Sequence, residues 1–215
     1  MPRRAIREFA EELEIPYLLH FTRIDNISSI VEHGLYPVNL FHELDTTPVI
    51  NDELRLDDHL DGISVSIAFP NSQLFYRFRK DAEEDGGAEW AVFVLDRSIL
   101  WEKDCAFCRH NAADGRISWQ PVSTLKTLEV FQGLFSEIDT YPSRAEQCLK
   151  KYDPTDIQAE VLVFDVIEPE LIRAIVFNSA EDKGAYADLM GEIRAFVHKP
   201  NKRFFASRNY VRKYT

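Results

Sequence analysis

Apolar residues recur at helical spacing over residues 3–14, where Ile6, Phe9, Ala10 and Leu13 alternate with charges, and this period predicts an amphipathic helix. Tyr17 to Phe21 follows as a short apolar strand. Asp25 stands where it caps a helix with inner face Ile27, Ile30 and Val31, and Gly34 is placed to end that helix at C′. Residues 36–61 are rich in Asp, Glu, Pro and His and predict irregular structure with an acidic surface, a candidate lid. Ile63 to Phe69 predicts a second strand, Pro70-Asn71-Ser72 a turn, and Leu74, Phe75 and Phe78 the buried side of the helix that follows. Asp81 to Gly87 reads as a charged loop. Trp90 to Leu95, Val161 to Val166 and Ile172 to Phe177 have the β-branched and aromatic bias of strands. Ala180 to Lys199 repeats apolar residues at helical spacing through Tyr186, Leu189, Ile193 and Val197. No repeat or Gly/Ser linker interrupts the order. It predicts a single α+β domain over residues 1–215, with a strand-rich core and flanking helices rather than a doubly wound sheet.

Composition narrows the class. Of 215 residues 45% are hydrophobic, with 15 Phe along the whole length, which is a globular rather than a disordered composition. No run approaches the roughly 20 apolar residues that span a bilayer. Met1-Pro2-Arg3-Arg4 leads into a charged segment without an apolar h-region, so the expectation is a cytoplasmic protein with no membrane partner. Three cysteines suit a reducing compartment. Cys105 and Cys108 have metal-ligand spacing, but only Cys148, His110 and distant histidines remain to close a four-ligand site. The plainer reading is two buried thiols and no metal.

A net charge of −11 argues against a nucleic-acid partner until its distribution is considered. Lys199, Lys202, Arg203, Arg208, Arg212 and Lys213 fall in residues 199–215 without one acid, so the rest of the chain stands at −17. Interleaved with Phe204, Phe205, Tyr210 and Tyr214, this basic segment has the makeup of a single-strand binding surface. It is equally the makeup of a solvated end.

The common Gly-rich nucleotide motifs, the nucleophile elbow and the zincin motif do not occur. Polar residues at the ends of apolar strands remain, where a rigid scaffold aims them into a cleft. His20 and Thr22 alternate to one face of their strand, although a lone strand histidine also serves as a hydrogen-bonded core residue. Arg109-His110-Asn111-Ala112-Ala113 is a polar cluster, without periodicity, whose small residues admit a ligand close to the backbone. Glu160 sits at the mouth of an apolar strand. A carboxylate there is either a solvated strand end or the group that stabilises a positive sugar carbon during N-glycosidic cleavage and accepts a proton from an attacking nitrogen.

Taken in order, His20-Phe21-Thr22-x-x-Asp25-Asn26, Ser66-x-x-Phe69-Pro70-Asn71, Asn111-Ala112-Ala113 and Gln158-Ala159-Glu160-Val161-Leu162 resemble the DarT family over roughly residues 17–177. The resemblance implies a small ADP-ribosyltransferase fold and NAD as co-substrate. It also implies transfer of ADP-ribose to a thymine or guanine base of single-stranded DNA, and a DarG-type macrodomain antitoxin that removes the mark. On this basis Glu160 is the catalytic residue, and His20, Thr22, Asn71 and Asn111 face the NAD. A target-recognition loop over residues 114–158 carries Arg116, Trp119 and Tyr141 toward the acceptor. The thymine-modifying branch has an arginine after the proline of the second motif. Asn71 stands there instead, which points toward guanine and to Arg77 or Arg79 as the source of the missing charge, with Arg109 also substrate-binding. RNA or protein acceptors, and a catalytically dead nucleic-acid-binding module, are the alternatives.

Overall fold

A computed structural model describes residues 2–45, 48–49, 59–84, 89–199 and 201–214. Among these residues seven strands form one sheet in the order β4-β5-β2-β1-β3-β6-β7. The strands are β1 (Leu18–Arg23), β2 (Ile63–Ile67), β3 (Trp90–Leu95), β4 (Cys105–Cys108), β5 (Glu160–Val163), β6 (Ile172–Phe177) and β7 (Arg194–Val197). All neighbours pair antiparallel except β6 and β7. The helices are α1 (Pro2–Glu12), α2 (Ile27–His33), α3 (Ser72–Glu84), α4 (Ile99–Glu102), α5 (Gly115–Ser118), α6 (Leu128–Gly133), α7 (Ala180–Ala185) and α8 (Arg208–Tyr214). This is the expected mixed, strand-rich α+β architecture.

Apolar layers cover both faces of the sheet. Phe93 and Leu95 of β3 point into one layer with Ile6 and Ala10 of α1 and Phe131 of α6. Trp90 and Val92 of the same strand point into the other, with Phe75 of α3 and Phe205. Aromatic pairs pack the first layer, with Phe9 edge-on to Phe131 at 5.5 Å and Phe107 tilted against Phe131 at 4.5 Å.

The central pair is short. β1 and β2 are joined only at Leu18↔Ile67 and Leu19↔Ser66. Beyond that point β1 continues along β3 as far as Arg23↔Trp90, and β2 continues along β5 as far as Ile63↔Val163. The two strands therefore part, and the sheet opens into a cleft at the His20–Thr22 end of β1.

Several local expectations change. Asp25 lies inside a 3-10 turn (Ile24–Asn26) and caps nothing; Asn26 is the N-cap residue of α2, but its side chain makes no cap bond. Gly34 does end α2, at φ +92°, and a Cβ there would lie 2.2 Å from Ile167 O, so the position is closed to other residues. Asp81 to Glu84 belong to α3 rather than to a loop, and residues 85–88 lie outside the described set. Residues 161–166 form strand only as far as Val163. Residues 180–199 are not one helix: α7 stops at Ala185, a 3-10 turn (Ala187–Leu189) follows, and β7 then adds in parallel to β6. Of the candidate lid, Val38–Glu43 is a 3-10 turn, and residues 46–47 and 50–58 lie outside the described set.

Candidate active site

The cleft between β1 and β2 brings together the five residues expected at the catalytic and NAD-facing positions: His20, Thr22, Asn71, Asn111 and Glu160. Phe21, Leu74 and Phe78 give it an apolar wall, and Val38, Phe41, Leu44, Pro48 and Val49 close another side.

Glu160 opens β5 and is 4% exposed. Ser64 of β2 donates its hydroxyl to Oε2 at 3.0 Å, and Asn111 Nδ2 donates to Oε1. Asn111 is itself fixed, since its Oδ1 accepts the Ala113 N–H at 3.0 Å. The carboxylate thus has a defined orientation, the condition under which it can face a developing positive charge without reorganisation. Ser64 is a site residue that the sequence does not single out, though alternation in Ile63-Ser64-Val65-Ser66-Ile67 places both serines on one face, and both line the cleft.

His20 Nδ1 lies 2.9 Å from Ser64 O. A carbonyl only accepts, so Nδ1 carries the proton of this bond. The bond spans the strands where their ladder has ended, and it satisfies a carbonyl that the parting leaves without a β1 partner. Thr22 is 2% exposed, and its Oγ1 accepts from Asn26 Nδ2 at 2.9 Å. Asn26 also holds Val49 at two points, Nδ2 to Val49 O at 2.8 Å and Val49 N–H to Oδ1 at 2.7 Å. An asparagine that the helix does not use as a cap thereby ties the far wall to the strand bearing His20.

Asn71 explains itself through α3. Its Oδ1 accepts the Leu74 N–H at 3.1 Å, the capping bond of an N-cap asparagine, and its own N–H is held by Ser66 Oγ at 3.2 Å. The amide cannot flip without losing the cap, so Nδ2 is a donor of fixed direction. It is buried, lacks a partner among the described residues, and belongs to a side chain lining the cleft. Such an orphan is costly unless a ligand supplies the acceptor.

The expected acceptor-side residues stand apart from the cleft. Arg79 does not replace the missing cation: Nη2 donates to Phe205 O at 3.1 Å, the guanidinium packs 4.8 Å over the Phe75 ring, and burial lowers its pKa. Arg77 is exposed, 5.4 Å over the ring of Phe78, which lines the cleft. Arg109 Nη2 donates to Glu137 O at 2.6 Å. Arg116 is paired with both oxygens of Asp114 at 2.8 Å, and this pair depresses the Asp114 carboxyl well below the usual range. Trp119 is 88% exposed, and Tyr141 donates to Asp156 Oδ2 at 3.0 Å. The same Asp156 oxygen meets His110 Nδ1 at 2.7 Å, next in sequence to Asn111.

Cys105 and Cys108 lie on β4 three residues apart, Cys105 in the first apolar layer with Phe107 and Cys108 in a separate cluster with Ala106, Ile117 and Leu162, so they face opposite ways and cannot share a metal ion. Burial pushes the Cys105 thiol up to about 12. Among the described residues no helix is long and apolar enough to cross a membrane.

The chain matches the family described as ssDNA thymidine ADP-ribosyltransferase, DarT, over residues 19–206. A search of curated proteins gives no match. Solved structures of similar fold include Thermosipho africanus DarTG in complex with ADP-ribose, at 17% identity and a TM-score of 0.62, covering 88% of this chain and 50% of that one. Thermus sp. 2.9 DarT in complex with ADP-ribosylated ssDNA gives 16% identity and a TM-score of 0.57, covering 86% and 95%. The same protein in complex with NAD+ gives 17% and 0.54, covering 86% and 96%. This chain therefore spans half the length of the DarTG chain and nearly all of the Thermus one. The family match begins at the point where β1 leaves β2 and continues through β5 to the tail; the chain belongs to the DarT family.

Proposed function

We propose that the chain transfers ADP-ribose from NAD to a thymine or guanine base of single-stranded DNA. The observation that carries this reading is Glu160, oriented by Ser64 and Asn111 within a cleft that also holds His20, Thr22 and the orphan donor of Asn71. In this reading the nicotinamide departs with the electron pair of the glycosidic bond. Glu160 stabilises the positive charge left on the ribose carbon and takes the proton from the attacking base nitrogen. His20 and Thr22 hold the nicotinamide side. The cleft suits a dinucleotide chemically, with aromatic and aliphatic walls for rings and fixed donors for oxygens.

The strand would approach from the rim at Arg77 and from the outward part of the tail. Lys199, Lys202, Arg203, Lys213, Tyr210 and Tyr214 are exposed there, whereas Phe205, Arg208 and Arg212 face inward. The loop over residues 114–158 would carry Arg116, Trp119 and Tyr141 to the bound strand, and Arg109, which follows β4 and donates to Glu137 O of that loop, would join them on the acceptor side. A DarG-type macrodomain that removes the mark is the partner this function needs, as in a toxin–antitoxin pair.

Incubation with labelled NAD, followed by separation of DNA, RNA and protein pools, tests the reading. Label in single-stranded DNA is expected, and thymine-only against guanine-bearing oligonucleotides assigns the base. Glu160→Gln, nearly isosteric but unable to balance charge or accept a proton, should lose more than about a hundredfold. Wild-type labelling by that folded variant removes Glu160 from the mechanism.

A further inference from the structure

The seven residues of α8 separate by face. Arg208, Val211 and Arg212, at i, i+3 and i+4, turn inward, while Tyr210, Lys213 and Tyr214 are exposed. The inward arginines hold neighbouring backbone and an acid. Arg208, 2% exposed, donates from Nη1 to Pro154 O at 2.7 Å and from Nη2 to Thr155 O at 3.1 Å. Arg212 donates from Nε and Nη2 to the two oxygens of Asp153, each at 2.7 Å, and Asp153 is fully buried. From the other side Arg144 Nη1 donates to Asp153 O at 2.7 Å and to Thr155 Oγ1 at 2.9 Å. Three guanidinium groups thus converge on residues 153–155, at a desolvation cost that apolar packing would avoid. For Arg208 that cost lowers the pKa to about 10.

Both ends of this arrangement reach the cleft. The segment 153–155 runs into Asp156, which meets His110 Nδ1, and the next residue, Asn111, holds Glu160 Oε1. On the other side, the Arg208 N–H approaches Ser72 Oγ at 3.4 Å and the Arg212 guanidinium lies 5.4 Å over the Phe69 ring. Phe69 and Ser72 flank the turn that presents Asn71. The helix therefore gives the segments that carry the orphan donor and the carboxylate a second connection, besides β2, whose Ser66 holds the Asn71 N–H and whose Ser64 holds Glu160.

We infer that α8 is a positioning element of the active site: Arg208 and Arg212 set the 153–156 segment against the Asn71 turn, and through it hold Glu160 in register with Ser64 and Asn111. The arginines touch no reacting atom. They act through the backbone they grip, and a displacement of about 1 Å at a reacting group costs up to roughly a hundredfold in rate. This inference rests on Glu160 being the carboxylate that carries the reaction.

The test is NAD hydrolysis without acceptor by the full chain and by Arg208→Gln, Arg208→Lys and Arg212→Lys, with a thermal melt of each. Arg208→Gln should lower kcat by about tenfold or more while KM for NAD stays within about twofold, at temperatures where the variant is folded. Arg212→Lys keeps a charge beside Asp153 but gives up the two-pronged grip, and should lower kcat by about threefold to tenfold. Arg208→Lys should recover part of the loss. Folded variants with wild-type kcat, or a change confined to KM or to the melting temperature, overturn the inference. If Arg208→Gln does not fold, the lysine variants decide by the same criterion, and failure of all three to fold assigns the arginines to stability alone and overturns it as well. A wild-type chain that leaves NAD intact defeats the functional reading instead.

Discussion

Ser64 donates its hydroxyl to Glu160 Oε2 at 3.0 Å, a bond between residues 96 positions apart and on adjacent strands. With Asn111 on the other oxygen, it leaves the carboxylate little rotational freedom. Ser64→Ala removes one hydrogen bond to a carboxylate, which at about 1.5–3 kcal/mol predicts a roughly tenfold to hundredfold fall in kcat for NAD hydrolysis. The melting temperature should hardly move, because Ser64 is half-buried and its backbone pairing survives. A kcat within twofold of wild type would show that Asn111 alone suffices.

Asn71 combines a cap with an orphan donor, and the two roles separate by substitution. Asn71→Ser retains a good N-cap for α3, so stability should be nearly unchanged. It loses the Nδ2 donor, and NAD affinity should drop by about tenfold. Asn71→Ala loses both, with about 1 kcal/mol of stability in addition. Calorimetric titration with NAD and a thermal melt measure the pair. Equal affinities for the wild type and Asn71→Ser would mean that NAD does not use the donor.

For the tail, only its outward residues belong in a strand-binding test. Replacing Lys202, Arg203 and Lys213 together with Gln should flatten the log–log salt dependence of single-strand binding, by about 0.7 in slope for every phosphate no longer neutralised. Tyr210 and Tyr214, 5.4 Å apart and exposed, offer stacking worth about 1–3 kcal/mol per base, which replacing both with Ala would remove. Hydrolysis of NAD without acceptor should persist in both variants. An unchanged slope would return the tail to a purely structural role.

His198 adds a pH dependence. Burial, and then the positive charge of Arg203, lower its pKa to about 4, and Nδ1 is buried without a partner among the described residues. The unfolded chain takes up this proton near pH 6.5 and the folded chain only near pH 4, so between those values the unfolded state binds more protons and stability rises with pH. The contribution is complete above about pH 6.5 and is lost as pH falls through about 4. His198→Asn should therefore flatten the fall in melting temperature between pH 6.5 and 4. Parallel curves for the two proteins would assign that fall to other groups.

What the sequence makes legible follows from its patterns. β3 carries a continuous apolar run, and β6 one broken only at Arg173, because both faces are covered; Glu160 stands at the mouth of such a run, but so do Glu89 and Asp96 at the ends of β3, and position alone does not single it out. β4 is hidden because Cys105-Ala106-Phe107-Cys108 is buried throughout, so no alternation marks it. Residues 180–199 have helical spacing, yet Phe196 and Val197 extend β7, where pairing with β6 outweighs a weak local period. Ser64 is indistinguishable from ordinary strand alternation until the fold sets Glu160 beside it. The tail's composition shows that it is cationic and aromatic, but composition does not reveal that α8 turns two arginines inward while its tyrosines and lysine stay out.

The short β1–β2 pairing has a mechanical consequence. A row of backbone hydrogen bonds fixes the spacing of neighbouring strands, but at the cleft that row has ended, and the His20–Ser64 bond spans the gap. Cleft width there is thus set by side-chain bonds rather than by a strand ladder. A ligand that competes for the His20 ring or for Ser64 O would loosen the brace as it enters, so the cleft would yield most at its occupied end.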